Sequence, residues 1–176
     1  MKTLVLYESK TGSTAKYAED IAKRVNAEIA PLKKFKLKKM KEYDTIVFGG
    51  WIRGGNIQGI NKFLQYWDDI SEKNVLVFGC GMSIPTKEAR QNLIDQNLLD
   101  MYHLRFYQFR GSFEFQKLGM LEKMMIKASV SQLSKESEDE NTRMIANILE
   151  NPIEFYDTEK VNRVVSVIET LAMGAK

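Results

Sequence analysis

Three short apolar runs set the strongest limit on how this chain folds. Residues 3–7, 45–48 and 75–78 are continuous stretches of apolar, β-branched or aromatic residues, and two of them open with the β-branched threonine. Small residues follow each run closely. Runs of this length and composition are typical of strands that are buried on both faces of a sheet. The sequence therefore predicts three interior strands of a parallel sheet, each ending in a loop.

Segments with helical character separate and follow these strands. Four helices are predicted, over residues 13–25, 60–67, 86–95 and 158–173. Alternation of strands with helices requires right-handed crossovers, which place helices on both faces of the sheet. An edge strand is predicted over residues 103–109, where apolar and polar residues alternate, and a short strand over residues 27–30. We therefore expect an α/β three-layer sandwich.

The size and composition of the chain indicate a single domain, residues 1–176. With 44% hydrophobic residues, the chain can build one well-packed core but not two ordinary ones. A strand that begins near Lys2 leaves no room for a signal peptide, and no apolar stretch reaches the roughly 18 residues that span a bilayer. The single cysteine excludes an internal disulfide and a cysteine-based zinc site. We expect a cytoplasmic protein without a bound metal.

Six lysines lie within residues 33–41, although the net charge of the chain is only +3. Two interpretations are open. In the first, this segment is a solvated connector in which Leu37 and Met40 pack inward while the lysines face water. In the second, it is a patch for an acidic partner protein or an anionic lipid surface, which would place the protein at the membrane periphery. Nucleic acid is not expected as a partner, because no recognised binding motif accompanies the lysines.

About forty residues before the closing helix lie outside the strand and helix pattern. Residues 118–133 and 142–149 have helical spacing, and a charged connector at residues 135–140 joins them. Apolar side chains, several of them methionines, cover well over half of the circumference of the first helix. Two interpretations are open. This helix packs on the domain or on a second subunit of a homodimer, or it exposes an apolar surface for a substrate, a membrane edge or a partner.

The loop after the first strand has the composition of an anion site. Its four hydroxyl groups belong to Ser9, Thr11, Ser13 and Thr14. Gly12 lets the backbone approach a ligand closely, Lys10 adds charge at the rim, and the helix that begins near Ser13 directs its N–H groups to the same place. The simpler alternative is an ordinary Ser/Thr-rich helix cap. The glycine patterns of P-loops and of dinucleotide sites are both absent after this strand.

Residues 5–21 resemble the FMN-phosphate signature of flavodoxins over their whole length. An apolar pair and an aromatic residue open the match, and five further residues occupy the family's positions: Ser9, Gly12, Thr14, Ala18 and Ile21. The resemblance implies a flavodoxin-like fold with five parallel strands in the order 2-1-3-4-5 and FMN as the cofactor. It places the phosphate among Ser9, Lys10, Thr11, Gly12, Ser13 and Thr14.

The resemblance implies that two further loops hold the flavin ring. The loop of residues 49–56 is expected to contact one edge of the ring through Gly50, Trp51, Ile52, Arg53, Gly54 and Gly55. A carbonyl near its last two glycines is expected to turn toward the N5–H of the reduced flavin. The loop of residues 79–85 is expected to reach the O2 and N3 region of the ring through Gly79, Cys80, Gly81 and Met82.

Some of these side chains also have a structural interpretation. Trp51 either stacks on the ring or fills the core at the end of its strand. Arg53 either stabilises negative charge on the reduced flavin and so raises its potential, or forms a surface salt bridge. We predict that Cys80 is a small buried residue rather than a redox thiol. His103, the only histidine, is assigned no catalytic role.

Within the flavodoxin superfamily, the chain resembles the branch of the menaquinone-dependent protoporphyrinogen oxidases. Besides the N-terminal signature, the resemblance rests on three short motifs: Ile52-Arg53-x-Gly55, Arg110-Gly111-Ser112 and Met125-Ile126-Lys127. Residues 113–117 differ from that branch. The resemblance implies an FMN-dependent oxidoreductase that passes electrons from an organic donor, such as a porphyrinogen, to a quinone-like acceptor.

A flavodoxin that acts as a mobile one-electron carrier is the alternative function, and a scaffold without flavin is a third. Carrier flavodoxins are typically strongly acidic, which steers them to basic partners, whereas this chain is net basic. The charge therefore favours the oxidoreductase. In both redox functions the flavin carries the chemistry, so no catalytic side chain is expected.

Overall fold

The computed structural model describes residues 1–82, 85–112, 115–136, 149, 151–152 and 154–174. Several predicted features fall outside these residues: Ser83 and Ile84 of the 79–85 loop, part of the divergent 113–117 segment, part of the charged connector, and nearly all of the predicted helix over 142–149. The chain forms two compact units. One consists of Met1–Gly111 together with Tyr156–Lys176, and the other of Ser112–Phe155. The assignment of residues 1–176 to one domain stays a prediction.

Five parallel strands form the sheet of the first unit. They are β1 (Thr3–Glu8), β2 (Glu28–Pro31), β3 (Thr45–Arg53), β5 (Asn74–Gly81) and β6 (Arg105–Arg110). Their spatial order is β2-β1-β3-β5-β6, which is the predicted order 2-1-3-4-5 when only the parallel strands are counted. The difference is an additional two-residue strand, β4 (Asn56–Ile57), which pairs antiparallel with the end of β3.

Helices cover both faces of this sheet. They are α1 (Ser13–Arg24), α2 (Ile60–Leu64), α3 (Trp67–Ile70), α4 (Lys87–Gln96) and α6 (Thr158–Gly174). On one face, α1 and α6 bury side chains such as Ile21 and Val164 against Val5, Val47 and Leu76. On the other face, α2, α3 and α4 pack against the alternate strand residues, including Leu6, Ile46 and Phe48. The predicted three-layer sandwich is confirmed.

Several predicted boundaries are wrong, including those of one helix and of the last strand. The helix expected over residues 60–67 is two short helices, because the chain turns at Tyr66 and so brings Ile70 into the same core as Ile60. A continuous helix would rotate Ile70 roughly 80° away from Ile60. The last strand begins at Arg105 rather than His103, because His103 has a left-handed backbone with a φ of 50° and belongs to the preceding turn.

The lysine-rich segment packs as a connector. Two 3-10 helices, Leu32–Lys34 and Leu37–Glu42, bury Leu32, Leu37 and Met40, while all six lysines are exposed. The expected inward packing of Leu37 and Met40 is therefore confirmed. The lysines nevertheless form an exposed cationic surface, so their binding of an acidic partner or an anionic lipid stays a prediction.

Among the described residues of the second unit, Met120–Glu136 form a long helix, α5. Met120, Leu121, Met124 and Met125 of this helix are exposed, and the ends of the unit meet where the Phe155 N–H donates to Ser112 Oγ at 3.0 Å. Whether α5 serves a partner, a substrate or a second subunit stays a prediction. Nowhere in the described residues is there a helix with the length and apolar character needed to cross a membrane.

Gly49 gives a test of the central packing. A Cβ atom added at Gly49 would lie 2.0 Å from Cζ of Phe78, so the ring of Phe78 occupies the space of the missing side chain. We expect Gly49→Ala to lower the free energy of unfolding by about 1–3 kcal/mol, because a buried ring must shift. Urea denaturation measures this change. Adding Phe78→Leu should recover part of the loss, whereas equal stability of Gly49→Ala and wild type would contradict the packing.

Candidate functional site

The loop between β1 and α1 presents an uncapped helix end. Gly12 precedes the helix with a φ of 99°, a left-handed conformation that residues with a side chain rarely adopt. No side chain caps α1, and its first backbone bond runs from Lys16 N to Gly12 O at 2.9 Å. The first N–H groups of a helix have no acceptor within the helix, and they carry the positive end of its dipole. The simple Ser/Thr cap is therefore absent.

Ser9 in this loop carries a buried hydroxyl group without a protein partner. Its Oγ atom is inaccessible to solvent, and no described group forms a hydrogen bond with it. A buried polar atom without a partner costs about 1–3 kcal/mol. An anion at the amino end of α1 would supply the missing acceptor for the Ser9 O–H. The residues of the predicted phosphate loop therefore fit a phosphate group.

Thr14 differs from the prediction in the direction of its side chain. It is buried, and its hydroxyl group forms a hydrogen bond with the thiol of Cys80 on β5. Gly111, just after β6, packs closely against Cys80 and Ser13. A Cβ atom at Gly111 would lie 2.9 Å from Cys80 Sγ and 3.4 Å from Ser13 Cβ. Residues at the ends of β5 and β6 therefore pack against Ser13 and Thr14 of the predicted phosphate loop.

The predicted loop over residues 49–56 is instead largely strand. Gly49 and Gly50 pair with β1 on one side and with β5 on the other, and β3 continues to Arg53. A two-residue turn follows, with φ values of 54° at Gly54 and 79° at Gly55. Positive φ at both central residues is required by the type I′ turn, which matches the twist of a hairpin. The loop prediction was wrong because hydrogen bonds to two neighbouring strands extend β3.

Side chains at the end of α4 hold this glycine turn. Gln96 Nε2 donates to Gly54 O at 2.9 Å, and Asn97 Nδ2 donates to Gly55 O at 2.8 Å. The Ile57 N–H donates to Asn97 Oδ1 at 2.8 Å, so Asn97 bonds both the turn and the strand that leaves it. The sequence analysis missed Gln96 and Asn97. Their only sequence signal is two amides at a helix end, which does not indicate what they bind.

The charged residues Lys10 and Arg53 near the loops are exposed, and the aromatic residue Trp51 is partly buried. Trp51 is half-buried, and Lys10 Nζ lies 5.3 Å from the centre of its ring. Arg53 is exposed, and within the described residues no carboxylate forms a salt bridge with it. The surface salt bridge considered for Arg53 is therefore not found in this part of the chain.

The end of β5 lies beside β3 and β6. Cβ atoms added at Gly79 and Gly81 would lie 3.0 and 3.1 Å from Ile52 Cδ1, so a side chain at either position would press on Ile52. The Gly111 N–H donates to Gly81 O at 2.7 Å, and Arg110 Nε approaches Met82 O at 3.4 Å. The structure therefore brings together most of the predicted site residues. Which of them contact a cofactor stays a prediction.

Tyr17 is a positioning residue that the sequence analysis also missed. Its hydroxyl group donates to Arg110 O at 2.8 Å and accepts from the Asp157 N–H at 2.8 Å. Burial raises the pKa of this hydroxyl to about 12. The bonds tie α1 to the end of β6 and to the start of α6. His103, in contrast, lies before the amino end of β6 and so at the opposite end of the sheet from this site.

Cys80 gives a pH-dependent test of the site. Burial raises the pKa of its thiol from 9.0 to about 12, although the Thr14 hydrogen bond acts in the opposite direction. Because the thiolate is the reactive form, we expect alkylation by iodoacetamide at pH 8 to be roughly a thousandfold slower in the native protein than in urea. The neutral thiol stabilises the fold fully below about pH 9, and this contribution is lost as the pH rises toward 12.

The rate of Cys80 alkylation, measured by mass spectrometry, should keep rising above pH 9. A plateau at that pH would contradict the buried thiol. Cys80→Ser, which removes the only cysteine, is the control that measures alkylation at other residues.

Several solved structures are similar to this chain. Oxidised flavodoxin 2 from Bacillus cereus is 19% identical, with 62% of this chain and 84% of that chain covered and a TM-score of 0.48. The Trp repressor binding protein from Bacillus subtilis is 18% identical, with 62% and 83% covered and a TM-score of 0.48. A flavoprotein in complex with FMN from Lactobacillus acidophilus NCFM is 18% identical, with 62% and 91% covered and a TM-score of 0.43.

No curated protein sequence matches the chain. A sequence model of the flavodoxin domain matches residues 4–141, which is well over half of the chain, and the chain therefore belongs to the flavodoxin domain family.

Proposed function

We propose that this protein binds FMN and that the loop of residues 9–14 holds the phosphate. The observation that carries the proposal is the buried Ser9 hydroxyl without a partner at the amino end of an uncapped helix. A phosphate satisfies both features at once, since its oxygens accept hydrogen bonds and its negative charge faces the positive end of the helix dipole. Membership of the flavodoxin domain family makes FMN the expected source of that phosphate.

The neighbouring strand ends would hold the flavin ring. They are the end of β3 with the Gly54-Gly55 turn, and the end of β5 at Gly81 and Met82. Bound FMN supplies reversible uptake of one or two electrons. The residues of this chain would fix the position of the ring and set its electrostatic surroundings. Arg53, exposed beside the turn, adds positive charge that favours the reduced flavin.

The reaction that we propose is that of a quinone-linked FMN oxidoreductase, of the type to which the protoporphyrinogen oxidase branch belongs. The net charge of +3 and the six exposed lysines of residues 33–41 support an enzyme rather than an acidic one-electron carrier. The Ile52-Arg53-x-Gly55 and Arg110-Gly111-Ser112 motifs support that branch. The two motifs lie at the ends of β3 and β6, on the side of the sheet where the phosphate loop begins.

Ser9→Ala tests the phosphate site. A hydrogen bond to a charged group contributes about 1.5–3 kcal/mol, so we expect FMN to bind about 10- to 100-fold more weakly. The apoprotein should become slightly more stable, because the substitution removes a buried polar atom without a partner. Quenching of FMN fluorescence gives the dissociation constant, and thermal unfolding gives the stability.

Riboflavin and a distant serine provide the controls for this test. Riboflavin has no phosphate, so its affinity should be the same for Ser9→Ala and wild type. Ser71→Ala, at an exposed helix end, should leave FMN affinity unchanged. Equal loss of FMN and riboflavin affinity would place the phosphate elsewhere, and absence of FMN binding to the wild type would refute the proposed function.

Stepwise reduction of the FMN-loaded protein separates the enzyme from the carrier. We expect one two-electron transition and turnover with menadione as acceptor. Arg53→Ala should lower the midpoint potential by about 5–20 mV, since an exposed charge contributes about 0.2–1 kcal/mol. Spectroelectrochemistry measures both quantities.

Arg105→Ala is the matched control for Arg53, because Arg105 is equally exposed but begins β6 at the opposite end of the sheet. It should leave the potential unchanged. Two well-separated one-electron transitions without menadione turnover would favour the carrier. An unaltered potential in Arg53→Ala would refute the tuning role of this arginine.

A further inference from the structure

Six exposed lysines give one edge of the first unit an uncompensated positive charge. They follow the edge strand β2, and we call them the lysine surface: Lys33, Lys34, Lys36, Lys38, Lys39 and Lys41. No described carboxylate forms a salt bridge with any of them. Like charges this close in sequence repel one another, so the cluster costs stability that a negatively charged partner would restore.

The carboxylates nearest to this segment in the sequence are engaged by other groups. Glu42 Oε2 lies 4.0 Å from Lys2 Nζ, and Asp44 Oδ2 accepts from the backbone N–H of Lys2 at 2.6 Å. The carboxylate of Glu28 accepts from the hydroxyl group of Tyr43. These acidic groups therefore leave the lysine surface free to bind a negative charge from outside the unit.

A 3-10 helix arranges four of the lysines in two rows. Residues three apart lie on the same side of such a helix, and the two apolar residues of Leu37–Glu42 are buried and fix its inner side. Lys36 and Lys39 form one outer row, with the Lys39 N–H donating to Lys36 O at 2.8 Å. Lys38 and Lys41 form the other outer row. The rows are therefore held by a packed backbone rather than by a flexible tail.

The spacing within each row matches that of carboxylates on an α-helix. Three residues of a 3-10 helix rise about 6 Å along its axis, and four residues of an α-helix also rise about 6 Å. Acidic residues at positions i and i+4 of a partner helix therefore have the same separation as the two lysines of one row. Each carboxylate can then face one ammonium group.

An anionic membrane is a less suitable partner for this surface. Amphipathic segments that bind membranes insert apolar side chains at the headgroup boundary, and no large apolar residue of the segment 32–41 is among the exposed ones. Phe35 is partly buried, with its ring centre 6.2 Å from that of Tyr43. Lipid headgroups are mobile and need no ordered rows. The packing and the spacing of the lysines therefore favour a protein.

We propose that the lysine surface docks an acidic α-helix of a partner protein, with carboxylates at positions i and i+4 facing the two lysine rows. This interaction goes beyond the proposed function, because it does not involve the cofactor. The segment Leu37–Glu42 leads into the amino end of β3, whereas the phosphate loop follows the carboxyl end of β1. The partner helix and FMN can therefore bind together.

A labelled alanine-based helical peptide with glutamates at every fourth residue tests the docking. The control probe is a helical peptide of the same composition whose glutamates are distributed around the helix. We expect the protein to bind the first peptide about fivefold more tightly in physiological salt, because only that peptide can form several exposed ion pairs at once. Fluorescence anisotropy gives both dissociation constants. Equal affinity for the two peptides would overturn the proposal.

Removal of one lysine row tests which charges bind the peptide. Lys38→Ala combined with Lys41→Ala should weaken binding of the first peptide about fivefold, whereas Lys38→Arg combined with Lys41→Arg keeps both charges and should keep the affinity. The matched control is Lys23→Ala combined with Lys62→Ala, which removes two exposed lysines from α1 and α2 and should leave the affinity unchanged. An equal loss in both alanine variants would reduce the effect to net charge and contradict the docking.

Thermal unfolding separates docking from a structural role of the lysines. Because loss of the row relieves repulsion, the melting temperature of the variant with Lys38→Ala and Lys41→Ala should be at least that of wild type. A lower melting temperature with unchanged peptide affinity would show that the lysines support the fold instead.

Vesicles and FMN distinguish this inference from its alternatives. Displacement of the peptide by vesicles that contain phosphatidylserine, but not by vesicles of phosphatidylcholine, would refute docking of a helix and assign the surface to a membrane. Saturation with FMN should leave peptide affinity unchanged. Peptide binding by a protein that does not bind FMN would support the docking surface and refute the proposed function.

Discussion

Hydrogen bonding of the central strand β3 on both sides is the constraint on which the site depends. Because β3 pairs with β1 as far as Gly50 and with β5 as far as Trp51, the ends of three strands reach the same edge of the sheet. Gly49 and Gly50 permit this pairing, since the Phe78 ring and the Ile57 side chain occupy the space where their own side chains would lie. The loops that follow these strands can therefore approach one another closely.

Long-range hydrogen bonds then fix these loops without charged groups. Tyr17 ties α1 to the ends of two elements that are distant in sequence, and Asn97 holds the glycine turn from the end of α4. Hydrogen bonds of this kind contribute about 0.5–1.5 kcal/mol each. Their larger effect is on geometry, because an uncharged framework leaves the electrostatics of the site to Lys10, Arg53 and the dipole of α1.

Two buried side-chain atoms in the described part of the chain have no partner, Ser9 Oγ and Gln108 Oε1. Ser9 follows β1 in the loop before α1, and Gln108 lies on β6. Native proteins tolerate such groups at a cost in stability mainly where function needs them. The Ser9 hydroxyl at the uncapped end of α1 is the main structural reason for the proposal that a ligand binds at this edge of the sheet.

The sequence by itself determined the α/β class, the order of the parallel strands through its resemblance to flavodoxins, and the position of a glycine-containing loop between β1 and α1. Periodicity and a glycine before a helix are local signals, so they are readable without coordinates. The extent of β3, the hairpin at Gly54-Gly55, the inward turn of Thr14 and the hydrogen bonds of Tyr17 and Asn97 were decided only by the tertiary structure. These features depend on partners that are distant in sequence, from the 29 residues between β3 and its partners on β5 to the 140 residues between Tyr17 and Asp157, and no local pattern specifies which buried group will meet which.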